Sequence, residues 1–374
     1  MRQIIKNATL TNGQKCNIVI DNQKISAITA DDCDDGTIIA LPDGVYVSPG
    51  WIDIHTHSFP KYEPYCAYPD DVGYKTGVTT VVDAGSSGAN DIDEFHALAN
   101  KSITRVFSFL NISSVGLKIS NELADLSLIS YSAIEKALAK YPDMIVGLKA
   151  RMSASVIGMN GLEPLKIGKR ISRLIKKPLM VHIGAAPPQL QDILSYLDQG
   201  DIITHCFNEK ADNHIFSNQP EINKRLTEAI ERGVYLDIGH GSSSFSYNIA
   251  QRAKEKNIPF HSISTDIYEK NQRHGPVYDL ATTLSKFLAL GYSLERVIQS
   301  VTVTPAKMIN KPNIGSLKTG ALADLTFFTI EKTRMALNDS MGQTLNVNEK
   351  IKPYAVMIGG MYYGYGSNEF KNGY

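Results

Sequence analysis

Eight short apolar runs, each separated from the next by a segment of helical pattern, constrain this chain more than any other feature. They are Val45–His57, Val78–Ala84, Arg105–Ile112, Met144–Ala150, Pro178–Ile183, Asp201–Cys206, Val234–Ile238 and Phe260–Thr265. Their centres, such as Thr79-Thr80-Val81-Val82 and Leu179-Met180-Val181, are continuous rather than alternating. Strands covered on both faces read this way, whereas a sheet with one wet face alternates. Helical signals lie at Asp91–Asn100, Ser132–Tyr141, Leu162–Lys176, Pro188–Asp198, Pro220–Arg232, Ser246–Lys256 and Tyr278–Leu290. Eight such units in succession predict an α/β chain closing as a (β/α)8 (TIM) barrel. The competing arrangement, a doubly wound open sheet, usually carries a Gly-rich phosphate loop after its first strand, and none is present.

The two ends of the chain read differently. Near the N-terminus, Ile4–Leu10 and Asn17–Ile20 flank a turn at Asn12-Gly13, with another at Asp21-Asn22. Near the C-terminus, Ala323–Phe328, Pro353–Ile358 and Met361–Tyr363 are punctuated by Gly359-Gly360. These are hairpin signatures. Hairpins alone cannot bury a face, so the two sets are expected to join as one small β-sandwich. The expected division is a discontinuous sandwich of residues 1–48 and 311–374, with a catalytic barrel of residues 49–310 inserted into it.

The 374 residues carry 38 basic and 38 acidic side chains, and this balance argues against nucleic acid or an anionic membrane as the main partner. No apolar run is long enough to span a bilayer, and the N-terminus turns polar too soon for a signal peptide. Cys16, Cys33, Cys66 and Cys206 lack CxxC spacing and suggest a reducing, cytoplasmic setting. Homo-oligomers are the usual expectation for a protein of this size.

In a barrel of this kind, functional side chains sit at the C-terminal ends of strands. The first run ends in His55 and His57, which alternate onto one face. Later runs end in Lys149, His182, His205 and Asp266. A lone histidine at a strand end is more often structural than a ligand, and Asp266 alone could cap a helix. Six metal-competent or ionisable groups at the one rim where the barrel needs them point instead to a metal site.

These residues also carry a resemblance. Pro49-Gly50-Trp51-Ile52-Asp53-Ile54-His55-Thr56-His57, Lys149, His182, His205, Asp266 and the closing Gly315–Leu325 stretch look like the amidohydrolase superfamily of metal-dependent hydrolases. Within it, Lys149 resembles the carbamylated lysine of the binuclear, dihydroorotase-like branch. Gly147–Arg151 and His182–Pro188 are similar to a group variously labelled dihydroorotase, adenine deaminase or deacetylase. The resemblance implies two divalent ions, with zinc favoured by imidazole and carboxylate donors. His55, His57 and Asp266 would hold one ion and His182 and His205 the other, with a CO2-derived carbamate on Lys149 between them.

The leading expectation is therefore a hydrolase that cleaves an exocyclic amide or ester of a small carboxylate-bearing compound. Asp266 would carry a proton from the attacking water to the leaving group. Ring opening of a cyclic amide and purine deamination are the alternatives on the same scaffold. A non-catalytic assembly protein is the alternative of another class, disfavoured by the intact ligand set. Arg151 falls on the same face as Lys149 and is expected either to clamp a substrate carboxylate or to lock the rim through a salt bridge. Ser153 is expected on the same wall. Ser86 and Asn271 lie in loops expected to line the pocket. Glycines flanking His240 predict close approach and a catalytic pocket role for that ring, hydrogen-bonding substrate or the intermediate. His96, His214, His261 and His274 have no partner pattern and are read as surface or structural.

Overall fold

The computed structural model describes residues 1–217 and 220–365, so the last nine residues of the expected C-terminal segment lie outside the described residues. Strands β1 (Arg2–Leu10), β2 (Lys15–Asp21), β3 (Lys24–Thr29), β4 (Thr37–Ala40) and β5 (Tyr46–Pro49) come first. Then follow β6 (Trp51–Thr56), β7 (Val78–Ala84), β8 (Arg105–Asn111), β9 (Ile145–Met152), β10 (Leu179–Ile183), β11 (Ile202–Thr204) and β12 (Tyr235–Asp237). The chain closes with β13 (Leu325–Asn338), β14 (Thr344–Ile358) and β15 (Met361–Gly364).

Strands β6 to β12 form one parallel sheet in strict chain order. Successive side chains along each strand enter different cores. Val81, Leu148, Val181 and Ile203 pack outward against the helices. Val82, Val146, Met180 and Ile202 pack inward, with Ala306, Met308, Ile309 and Ile314 closing one end. Burial on both faces is why these runs show no alternation. The Phe260–Thr265 run, expected as a regular eighth strand, is not one. It makes one isolated parallel bridge, Ser262 to Asp237, and Ile267 just beyond it makes another to Thr56.

The terminal strands make the second sheet, in the order β15-β14-β13-β5-β1-β2-β3, with β4 beside β1. Both ends of the chain contribute, and the sheet has its own apolar cluster around Ile18, Ile20, Val47, Phe327 and Met357. Gly13 and the Gly359-Gly360 pair have positive φ, which the tight turns at those positions require.

The expected single strand Val45–His57 is split at Gly50. Residues before it pair antiparallel with β13, Ser48 opposite Thr326, while those after it pair parallel with β7. A Cβ at Gly50 would collide with the Thr79 side chain, and Gly50 N donates to Asp324 O at 2.7 Å. The chain therefore passes from one sheet to the other at the residue just before the strand that carries His55.

Candidate active site

His55 and His57 converge on Asp266, which lies just beyond the Phe260–Thr265 segment. His57 Nε2 is 3.0 Å and His55 Nε2 3.3 Å from the same Asp266 Oδ1. The three ligand atoms lie within 4.8 Å of one another. Asp266 N donates to His55 O at 2.7 Å and His57 N to Ile267 O at 2.9 Å, so the first strand and the last segment fix each other's backbone.

The outward nitrogens of these rings are already engaged. His55 Nδ1 is 2.7 Å from Thr204 Oγ1, which gives its single proton to Asp237 Oδ2 at 2.7 Å. The threonine oxygen must then accept from His55 Nδ1–H, so Nε2, which faces Asp266, is the nitrogen left to ligate once it is deprotonated. His57 Nδ1 is 2.9 Å from Ser86 Oγ, and Asp83 receives Ser86 N at 2.7 Å and Ser58 N at 2.9 Å. Partners behind the rings that set tautomer and orientation are the pattern of metal-binding histidines.

Charge follows the same geometry. Burial alone would raise the Asp266 carboxyl, but His55 and His57 hold it well below the usual carboxylate range. Burial and Lys149 push His55 down, yet Asp266 and Asp237 outweigh them and leave it raised. Burial lowers His57 despite Asp266.

The other side of the site holds Lys149, His182 and His205. Lys149 is fully buried in β9, its Nζ 3.2 Å from His55 Nε2 and 3.4 Å from Met180 Sδ. It forms no ion pair among the described residues, and burial pushes it down to about 7. A lysine ammonium would not choose this position. The His182 and His205 rings lie edge to face with centroids 4.5 Å apart, and the His55 ring is 5.0 Å from His205. His205 Nδ1 faces Gly239 O at 2.6 Å and must carry the proton, so Nε2 is again the free donor atom. Burial pushes His205 down to about 3, and burial with the nearby His205 and Arg151 holds partly exposed His182 well below the ordinary range. Both rings are neutral, as ligation requires. Two imidazoles and a carboxylate at one side, two imidazoles at the other and a buried lysine 3.2 Å from His55 fit a divalent metal centre.

Glycines admit this crowding. A Cβ at Gly239 would come within 2.8 Å of His205 Nδ1 and 3.1 Å of His55 Nδ1, one at Gly85 within 2.7 Å of Lys149 Cγ, and one at Gly241 would collide with Asp266 Oδ2. His205 and Asp266 themselves have φ of +70° and +52°, an uncommon region for residues with a side chain.

The other expected site residues are placed as follows. Arg151 gives Nε and Nη2 to buried Glu122 at 2.7 and 2.6 Å, and Nη2 also to Ser120 O at 2.7 Å. Ser86 is buried behind His57. Ser153 is buried at the end of β9, near Gly184 beside the His182 ring. Asn271 gives its amide to Asp266 O at 3.0 Å and accepts from Tyr268 N at 2.9 Å. His240 is buried, stacked on Phe245 at 4.6 Å, with Nδ1 2.9 Å from Gly241 O and Nε2 2.8 Å from Lys286 Nζ.

Several participants were not singled out from sequence. Asp237 accepts from Thr204, Ser262 and Ser264 and, despite burial, is held low by His55 and these hydroxyls. Asp53 sits within the motif itself and receives Thr265 through both its N–H and its hydroxyl. Asp83 accepts from Ser86 N, Glu122 from Arg151, and Lys286 donates to His240, each from behind an expected site residue. A charged residue at a strand end within an apolar run, as at Asp83 and Asp237, was the available signal.

Over 362 residues the chain is 44% identical to a deacetylase of Enterococcus faecalis, covering 96% of this chain and 98% of that protein. The chain belongs to the amidohydrolase superfamily, in its dihydroorotase-like branch. This amidohydrolase is also similar to solved structures of an adenine deaminase (44% identity, TM-score 0.94, 97% of this chain and 99% of that one) and of a dihydroorotase (32%, 0.89, 97% and 98%). Residues 317–364 match the family model described as a deacetylase-like composite domain. It is a hydrolytic enzyme, and the His55, His57 and Asp266 cluster makes its centre a metal-binding one. No helix among the described residues is long and apolar enough to cross a membrane.

Proposed function

We propose that this amidohydrolase is a binuclear metal-dependent deacylase, cleaving an acyl amide or ester from a small carboxylate-bearing compound. The observation that carries the reading is Lys149: buried, without an ion-pair partner among the described residues, pushed down to about 7 and 3.2 Å from His55 Nε2. A neutral amine there can add CO2, and the carbamate would be an anionic two-oxygen ligand shared by two ions. His55, His57 and Asp266 would hold one ion and His182 and His205 the other, with zinc suited to these donors. When bound, such ions acidify a water and polarise a carbonyl.

The chain's own residues supply the remaining chemistry. Asp266 is ionised and positioned to take a proton from the nucleophilic water. It can then pass that proton to the departing amine or alkoxide. No serine or cysteine nucleophile is required. The Nη1 edge of Arg151, together with Ser153, is available to a substrate carboxylate, while Glu122 fixes the guanidinium plane. Ser86 and Asn271 support substrate binding through His57 and the Asp266 backbone, and His240 forms a wall beside Asp266. The Phe260–Thr265 segment would complete an eight-stranded barrel, with residues 49–310 as the catalytic domain and the two termini as a small accessory sandwich. A cytoplasmic homo-oligomer is the expected state.

The relatives' names support deacylation, while the adenine deaminase and dihydroorotase likenesses mark the reactions it must be tested against. Zinc-loaded enzyme should be assayed on N-acetyl amino acids, O-acetyl 2-hydroxy acids of both hands, cyclic ureides and adenine. Acetate release from one hand of an acyl compound is expected. Ammonia from adenine, or ring opening without acetate, would overturn the deacylase reading and leave the metal centre standing.

A further inference from the structure

Asp266 keeps a left-handed backbone (φ +52°), which a residue with a side chain retains where its surroundings over-determine it. Two segments do so. Asn271 Nδ2 donates to Asp266 O at 3.0 Å, and Gly241 lies so close that a Cβ would collide with Asp266 Oδ2. Both segments lead back to Lys286, on the helix Leu280–Ala289, whose side chain is fully buried.

Lys286 Nζ lies 2.8 Å from each of three acceptors: His240 Nε2, Pro276 O and Asn338 O. His240 Nδ1 faces Gly241 O and must carry the ring proton, so its Nε2 accepts. Three acceptors around one nitrogen need three N–H bonds, and only the ammonium has them. Lys286 makes no ion pair among the described residues, although burial opposes the charge and lowers it to about 7. A buried cation held by neutral acceptors alone is costly unless each is well placed.

The third acceptor opens the tip of the β13–β14 hairpin, which belongs to the terminal sheet. That tip is fastened onto the loop after β12. Ser340 Oγ donates to Gly241 O at 2.8 Å, with His240 O at 3.2 Å. Ser340 N donates to Phe245 O at 3.0 Å, and Asp339 accepts from Tyr247 N at 2.9 Å.

We propose that Lys286 and the hairpin tip Asn338–Ser340 are positioning elements for Asp266, acting through the His240–Gly241 wall and the Pro276 loop. This rests on reading Asp266 as a metal ligand. It assigns the terminal sheet a part in the active site, although none of these residues faces the reacting atoms.

The test is a zinc titration of metal-stripped protein against a chromogenic chelator, with thermal unfolding of each apo variant. Lys286→Met should weaken zinc binding by roughly 10- to 100-fold, the size found for partners behind metal ligands. Ser340→Ala should weaken it less, in the same direction. Ser285→Ala is the control: its hydroxyl joins the same helix to the same hairpin through Ile351 N at 3.0 Å but touches none of the brace. It should lower the unfolding temperature and leave zinc affinity within about twofold, the spread expected of a change away from the site. Equal losses in Lys286→Met and Ser285→Ala would mean general packing and overturn the proposal, as would unchanged affinity in Lys286→Met. If Lys286→Met does not fold, Ser340→Ala decides: weaker binding supports the brace and wild-type binding overturns it. No substrate enters the titration, so a failure of the deacylase reading shows only in the wild-type acyl panel.

Discussion

The two halves of the site are built on opposite principles. On one side, His55, His57 and Asp266 lie within reach of one another, and the rings' outer nitrogens are engaged by Thr204, backed by Asp237, and by Ser86. On the other, His205 alone has a fixed tautomer, the His182 ring makes no hydrogen bond among the described residues, and Lys149 has no counter-ion. The first half is complete as folded; the second is made of neutral groups lacking an anion. A carbamate would supply that charge, so the halves should respond differently to the same perturbation.

Removing the lysine should separate them most sharply. Lys149→Ala is expected to reduce turnover to background and to lower metal content by about one ion per chain, since the second half could no longer gain the charge of a carbamate. Elemental analysis beside an acetate-release assay checks this; two ions retained with normal turnover would remove the carbamate. Depleting CO2 should give a milder, reversible form of that loss, restored by bicarbonate in the wild type.

Asp266→Asn should preserve the fold and lower kcat by roughly 10²- to 10⁴-fold, the range for losing a positioned proton carrier. An unchanged kcat would assign proton transfer elsewhere. Behind the first half, Thr204→Val breaks the His55–Thr204–Asp237 chain. It should weaken the tighter metal by roughly 10- to 100-fold and leave the weaker one nearer its original affinity, as read by stepwise chelator competition.

The smallest expected effect lies away from both halves. His261 Nδ1 accepts Leu236 N at 2.8 Å, and burial, with Arg296 and Lys307, pushes it down to about 4. The folded chain keeps this ring neutral where the unfolded chain, near the ordinary 6.5, protonates it. Its contribution is thus complete above about pH 6.5 and is lost as pH falls toward 4. Replacing it with Gln should make the decline of unfolding temperature shallower across that window, by up to about one proton's worth of slope. An identical slope would show that other rings account for it.

The ligands were legible because they end continuous apolar runs, where a polar side chain must face the rim. The runs were legible because adjacent side chains feed separate cores, as Val81 and Val82 do. What sequence hid was reach. Gly50 redirects the chain between sheets inside one apolar run, and no periodicity marks that switch. Phe260–Thr265 has strand-like residues, yet it forms only an isolated bridge at Ser262 and is held otherwise by scattered hydrogen bonds, as from His240 N to Ser264 O and from Thr265 to Asp53. The Glu122 partner of Arg151 lies in a loop between β8 and the next helix, and such a pairing depends on loop geometry. Lys286 is apparent only in three dimensions, since in sequence it is one cation on a helix.

The long β13–β14 hairpin also has a consequence for how the protein is made. Ser48 meets the backbone of Thr326 across 278 residues of chain. On the ribosome, β5 can pair with β1 early but must wait for its second partner, β13, and pairings of such long range form late. The loop carrying His240 and Gly241 is then fastened by residues synthesised after every metal ligand. A nascent chain would expose its histidines well before they could act together, which ties the onset of hydrolysis to the synthesis of the β13–β14 hairpin.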